Sequence, residues 1–206
     1  MSDGGALARL AVSRETLDRL EALEALLKKW NPAINLVAKS TLGSAWDRHI
    51  LDSAQLYTLA PPKVAHWADL GSGGGFPGLV IAALSHELDP DRRVTLVESD
   101  RRKATFLREA ARQLGLSADI RDERIESVPP LGADVLSARA LAALPALCGF
   151  AARHLAKDGL ALFPKGANHR AELDEAGRDW HFDVTVHPSD TDPAAVVLAM
   201  KAITHV

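Results

Sequence analysis

Five glycines fall within ten residues of the stretch Trp67–Val80, "WADLGSGGGFPGLV". Glycines let a chain turn tightly and let backbone N–H groups approach a ligand where side chains would block the way. Asp69 closes an apolar run, and Gly71, Gly73 and Gly75 follow before Phe76-Pro77 opens a helix. At the end of the next apolar run stands Glu98, in "TLVESD", a carboxylate able to accept hydrogen bonds from both hydroxyls of a ribose. Two nucleotide-like ligands suit this arrangement. Taken from Gly73, "GGGFPG" has the form G-x-G-x-x-G, with Glu98 twenty residues beyond Gly78, as a dinucleotide site requires. Taken from Asp69, "DLGSGGG" is an acid followed by G-x-G-x-G, which suits S-adenosylmethionine, the glycines facing its methionine and ribose portions.

Elements must position that loop. Residues 13–30 carry Leu17, Leu20, Leu23, Leu27 and Trp30 at helical spacing behind Ser13, an N-cap residue type, and Asn31-Pro32 breaks the pattern. A second helix is expected from about Gly43 to Leu59, before Pro61-Pro62. After the prolines, short apolar runs at 66–70, 93–98, 118–123, 133–138 and 159–164 alternate with helical segments at 77–88, 101–114, 141–156 and 168–179. Such alternation predicts a doubly wound, mostly parallel sheet. "FDVTVHP" and "AAVVLAMKAI", separated only by "SDTDP", leave no room for a helix and predict an antiparallel hairpin at one edge. The expected organisation is a helical cap over residues 1–60 and one compact α/β domain over 61–206.

Composition narrows the function classes. An apolar fraction of 47% and a charged fraction of 25% are those of a globular protein with a sizeable core. A lone cysteine, Cys148, excludes an intrachain disulfide and cysteine-rich zinc sites, so no metal is expected. The N-terminal residues lack the basic and apolar regions of a secretory signal, and no run is long enough to span a membrane; a cytoplasmic location and no membrane partner are expected. A formal charge of −3 gives no overall attraction to nucleic acid, so RNA binding would need a local patch.

"WNPAINLVAKST…WDRHILDSAQL" followed by "DLGSGGGFPG", "RIESV", "ARALAAL" and "FPKG" resembles the bacterial 16S ribosomal RNA guanine-N7 methyltransferases, the glucose-inhibited-division B family, in order from about Trp30 to the end. Val37 departs from the threonine common there after "NL". The resemblance implies a class I, Rossmann-like S-adenosylmethionine-dependent methyltransferase fold, with 16S ribosomal RNA as partner. It places Gly71 and Phe76 along the cofactor site, Glu98 on the ribose, Ile125 and Glu126 beside the adenine, and Arg139 facing cofactor and target base. Asp69, Gly73 and Gly75 complete the cofactor set.

The residue inventory agrees with such chemistry. Cys148 lies mid-helix and reads as packing rather than as the nucleophile that pyrimidine C5 methylation needs. Where amine methylation commonly uses an Asp/Asn-Pro-Pro-aromatic loop, this chain has "LSARAL". Guanine N7 is already nucleophilic, so no catalytic acid or base is expected. Arg48 and His49 in "WDRHILDS" are candidate RNA contacts, with Asp52 expected to orient His49 or pair with Arg48. Arg101, on a basic helix face shared with Arg108 and Arg112, and Lys165 in "FPKG" complete the RNA set. The weak net charge suggests a substrate presented within a small-subunit particle, bound by a monomer. A nicotinamide-dependent oxidoreductase and a non-catalytic, cofactor-sensing module stay open at this point.

Overall fold

The computed structural model describes residues 5–206. Helices α1 (Gly5–Leu10) and α2 (Arg14–Ile34) lead into a helical stretch of changing pitch. This stretch comprises a 3₁₀ turn (Lys39–Ser44), a widened π turn (Trp46–Leu51) and α3 (Asp52–Leu59). Strands β1 (His66–Leu70), β2 (Arg93–Val97), β3 (Asp119–Arg121), β4 (Ala133–Ala138) and β5 (Leu155–Lys165) follow. They are linked by α4 (Gly78–Leu88), α5 (Arg101–Gln113), a 3₁₀ turn at Ile125–Ser127 and α6 (Leu144–His154). After α7 (His169–Ala176), β6 (Trp180–Pro188) and β7 (Val196–His205) close the chain.

The seven strands form one sheet in the order β3-β2-β1-β4-β5-β7-β6. Neighbours among β1–β5 pair in parallel, whereas β7 is antiparallel to both β5 and β6. The order reverses between β1 and β4, and at such a switch point the connecting loops diverge and open a crevice beyond the strands' carboxyl ends. Alternation along each strand feeds two apolar layers. Trp67, Leu96, Val135 and Leu162 face α4 and α5; Leu70, Leu136, Phe163 and Leu198 face α6 and α7. Leu20, Leu23 and Leu27 of α2 belong to the first layer together with Ile81 and Phe106, and Trp30 meets Phe106 edge-on at 5.7 Å. The cap therefore packs as a third layer over the α4/α5 face. Among the described residues no helix is long and apolar enough to cross a membrane.

Several expected boundaries move. Helix α2 runs through Pro32 and ends at Asn35, which takes the left-handed conformation at φ 51°. Proline there removes one N–H near the helix end, a small loss beside the continuous apolar stripe that α2 buries. The helix expected to start near Gly43 begins at Lys39 and changes pitch twice before Leu59. Strand β3 is shorter than the apolar run suggested. Strand β5 starts at Leu155, directly after α6, with an irregular register opposite Ala133–Val135. Pro77 sits one residue before α4 rather than in its first turn. Ser13 does cap α2, accepting from Thr16 N–H at 3.2 Å. Asp100, not singled out from sequence, caps α5 by accepting from Arg102 and Lys103 N–H groups.

Candidate functional site

A crevice of about 940 Å³ opens over the carboxyl ends of β1, β2 and β4. Gly71, Gly73, Phe76, Glu98, Ile125 and Glu126 line one side of it. Arg48, His49, Arg139 and Lys165 line the other. Thirteen residues were singled out from sequence, and three of them lie outside this wall.

Asp69 is one of the three. It is wholly buried beneath the glycine loop, accepting from Gly78 N–H at 3.1 Å and from the Ser137 hydroxyl at 2.8 Å. Trp67 Nε1–H in turn donates to Ser137. Burial pushes the Asp69 carboxyl up to about 6, against the lowering effect of those hydrogen bonds. Asp69 is thus a tie between the end of β1, the start of α4 and β4, and a side chain at Gly78 would lie 2.7 Å from its carboxylate. Gly75 is the second: its missing side chain would point at Leu79 and Leu107, away from the crevice. Arg101 is the third, exposed at the start of α5, where Lys103 reaches the crevice instead. Arg108 and Arg112, on the same basic face, pair with Asp122 and Glu109.

The glycine side of the crevice is made largely of backbone held from behind. Glu98 accepts from Gly73 N–H at 2.8 Å through one oxygen and from Asp100 N–H at 2.7 Å through the other. Each carboxylate oxygen keeps a second lone pair for a ligand hydroxyl. At Gly73, φ is +54° and a β-carbon would find only the Gly71 carbonyl, 3.8 Å away. The space beyond this residue is therefore kept open on the crevice side, as a closely approaching ligand requires. The turn carrying Ile125 and Glu126 is fixed by two consecutive side chains at the end of α6. Buried His154 donates from Nε2 to the Ile125 carbonyl at 3.1 Å, and Arg153 donates to the Val128 carbonyl at 3.0 Å. Burial lowers the His154 pKa, in keeping with an Nδ1 that has no hydrogen-bond partner among the described residues.

Side chains from distant parts of the chain build the other side. Arg139, just beyond β4, donates to the Arg48 carbonyl at 3.0 Å and to Asp52 at 3.2 Å through Nη1, and to His49 Nδ1 at 3.0 Å through Nη2. Its guanidinium lies 5.5 Å from the Phe76 ring centre, and His49 stacks on that ring at 5.1 Å. Because arginine can only donate, His49 Nδ1 is the acceptor and Nε2 carries the proton, which goes to the Thr41 hydroxyl at 2.9 Å. Thr41 then donates to the Ala38 carbonyl. Burial, then the positive charges of Arg139 and Arg48, push the His49 pKa down to about 4, so the ring is neutral at physiological pH.

Asp52 neither orients His49 nor pairs with Arg48, as the spacing suggested. It holds Arg139, while its other oxygen accepts from Gln55 and from Thr191 in the β6–β7 loop. Arg48 pairs with Asp192 of that same loop at 3.0 Å. Lys165 is held by Glu172 at 2.6 Å and by the Ala142 carbonyl. Thr41, Thr191 and Asp192 were not foreseen: Thr41 meets His49 eight residues on through a change of helical pitch, and "SDTDP" reads as a turn with no signal of a partner some 140 residues earlier. Cys148 is buried, its thiol pushed up to about 11 by burial, which suits packing rather than nucleophilic attack.

The strand order with an antiparallel penultimate strand in space, and the glycine turn at the switch point, define the class I methyltransferase fold. A solved S-adenosylmethionine-dependent methyltransferase from Aquifex aeolicus superposes with a TM-score of 0.60 over 86% of this chain and 97% of its own, at 14% identity. The fibrillarin/Nop5p complex gives 0.56 over 75% of this chain and 81% of that one, at 12% identity. Residues 16–191 match the family model for rRNA small subunit methyltransferase G. Proteins named ribosomal RNA small subunit methyltransferase G from Cereibacter sphaeroides and a Ruegeria species are 54% and 52% identical over the full length of both chains. The chain belongs to this family and is a methyltransferase of small-subunit ribosomal RNA.

Proposed function

We propose that the protein transfers a methyl group from S-adenosylmethionine to N7 of a guanine in small-subunit ribosomal RNA. The observation that carries this reading is the division of the crevice into a backbone-lined side fitted to a nucleoside and a cationic side that meets it at Arg139. Glu98 would take the ribose hydroxyls, Ile125 and Glu126 the adenine, and the loop at Gly71 and Gly73 the remaining portion. S-adenosylmethionine supplies an activated methyl group. Arg139, Phe76 and His49 form the wall where the two sides meet and would orient the base. His49 has both ring nitrogens engaged and Asp52 is paired, which favours an acceptor needing no proton abstraction. Guanine N7 is such an acceptor, and alignment of the reactants supplies the rate, up to roughly 7–11 kcal/mol in well-oriented systems. The base must be unstacked to reach the crevice.

Arg48 and Lys165 would meet backbone phosphate, with Arg101 a peripheral contact. The substrate would be presented within a small-subunit particle in the cytoplasm, to a monomer of the enzyme. Mass mapping of nucleosides in small-subunit ribosomal RNA, from cells with and without the gene, tests the reading. Loss of one 7-methylguanosine is expected on deletion; an unchanged level overturns the assignment.

A further inference from the structure

Three cations face the substrate side of the crevice, and each is held by a carboxylate from another element. They are not held alike. Lys165 and Arg139 have side chains only 10% and 17% exposed and make several bonds each. Arg48 is 51% exposed, and among the described residues its guanidinium has one partner, Asp192, at 3.0 Å. Asp192 in contrast is fixed. Its second oxygen accepts from Ala194 N–H at 2.9 Å and its carbonyl from Ala195 N–H, closing a tight loop tied to the cap through Thr191 and Gln55. A carboxylate held by its own loop therefore occupies a half-exposed guanidinium lining the crevice, in the place where a strand's phosphate would approach.

We propose that Asp192 stands in for an RNA phosphate on Arg48, so that RNA binds there only by displacing it, and that this exchange sets how sharply the enzyme discriminates against RNA held by charge alone. The inference rests on the reading of Arg48 as an RNA contact. Half-exposed pairs with one contact are weak and easily exchanged. A phosphate offers the same guanidinium two parallel charge-assisted bonds. A strand positioned by its other contacts displaces Asp192, whereas a strand held only by charge meets an occupied arginine and a repelling carboxylate. The neighbouring Asp190 lacks this role, since it pairs with Arg9 of α1 and does not line the crevice.

Binding of oligouridylate to the full chain, saturated with S-adenosylhomocysteine, tests the exchange across a salt series. Asp192→Asn is expected to tighten binding about 3- to 10-fold at low salt and to steepen the salt dependence by up to about one released ion. Asp190→Asn removes the same charge from the same loop and is expected to change affinity less than about twofold. In an Arg48→Ala background the gain from Asp192→Asn disappears. Unchanged or weaker binding by Asp192→Asn overturns the inference, as does equal tightening by Asp190→Asn, or a gain that persists without Arg48. If Arg48→Ala alone leaves RNA affinity and the KM for small-subunit RNA unaltered, the underlying reading of Arg48 fails instead. Matching thermal midpoints separate all of these from lost folding.

Discussion

The two sides of the crevice are built by different means. The glycine side is walled largely by backbone, and side chains hold that backbone in place: Asp69 ties Gly78, His154 ties Ile125, and Glu98 ties Gly73 while itself lining the crevice. The cationic side is walled by the side chains themselves, joined across long stretches of sequence as Arg139 to Asp52 and Arg48 to Asp192. A ligand of constant shape suits the first kind of wall. A polyanion that arrives from outside and must be aligned anew suits the second.

If that contrast holds, damage beneath the glycine side appears as lost stability, and damage on the cationic side as lost activity. The largest effect is expected from Asp69→Leu, which strips a buried N–H and a buried hydroxyl of their acceptor and costs roughly 2–5 kcal/mol, read from urea midpoints. Asp69→Asn keeps one acceptor oxygen and is expected to cost less. Equal, negligible losses for both would remove Asp69 from its place as a tie. Next comes Arg139→Ala, expected to lower kcat/KM by about 10- to 100-fold, from the loss of hydrogen bonds made by a charged group. A fall in stability with unimpaired turnover would return Arg139 to a structural pair.

Acidification probes both sides at once with opposite sign. His49 has a folded pKa of about 4 against an ordinary imidazole value of 6.5, so the unfolded chain binds its proton first and stability is lost as pH falls through this window. That difference corresponds to about 3 kcal/mol. Asp69 has a folded pKa of about 6 against 3.8; its contribution is present at low pH and lost as pH rises from 3.8 through 6, by a similar amount. The two contributions oppose each other in the native chain. His49→Gln removes one of them, so its stability gap to the native protein should shrink by about 3 kcal/mol between pH 6.5 and 4. A constant gap across a urea series at those pH values contradicts the assignment. Smallest of all is Arg101→Ala, outside the crevice wall, for which less than about a twofold change in RNA affinity is expected.

The same contrast explains what the sequence made legible. The glycine loop, Glu98 and the hairpin at the end are local signals: a run of small residues, an acid at a strand's end, two strands with no helix between them. Each pointed to its place. Asp69 and Gly75 belong to the same motif, but the motif does not say which members line the crevice and which support those that do. Asp52 shows the opposite limit. Spacing offered it His49 and Arg48 as partners on its own helix, and the fold gave it Arg139, eighty-seven residues away, because β4 ends beneath the cap. The π turn at Trp46–Leu51 is equally invisible in composition, yet it presents the Arg48 carbonyl to Arg139. Pairings between distant elements carry no local signature, and the β6–β7 loop was missed for that reason.

Calorimetric titration with S-adenosylhomocysteine, run in parallel on the native chain, Gly73→Val and Arg48→Ala, bears most directly on the division of the crevice. One molecule should bind the native protein and Arg48→Ala with similar affinity, and Gly73→Val, still folded by circular dichroism, should bind none. Retained affinity in Gly73→Val, or a native chain that takes up NADH in place of the nucleoside, would contradict it.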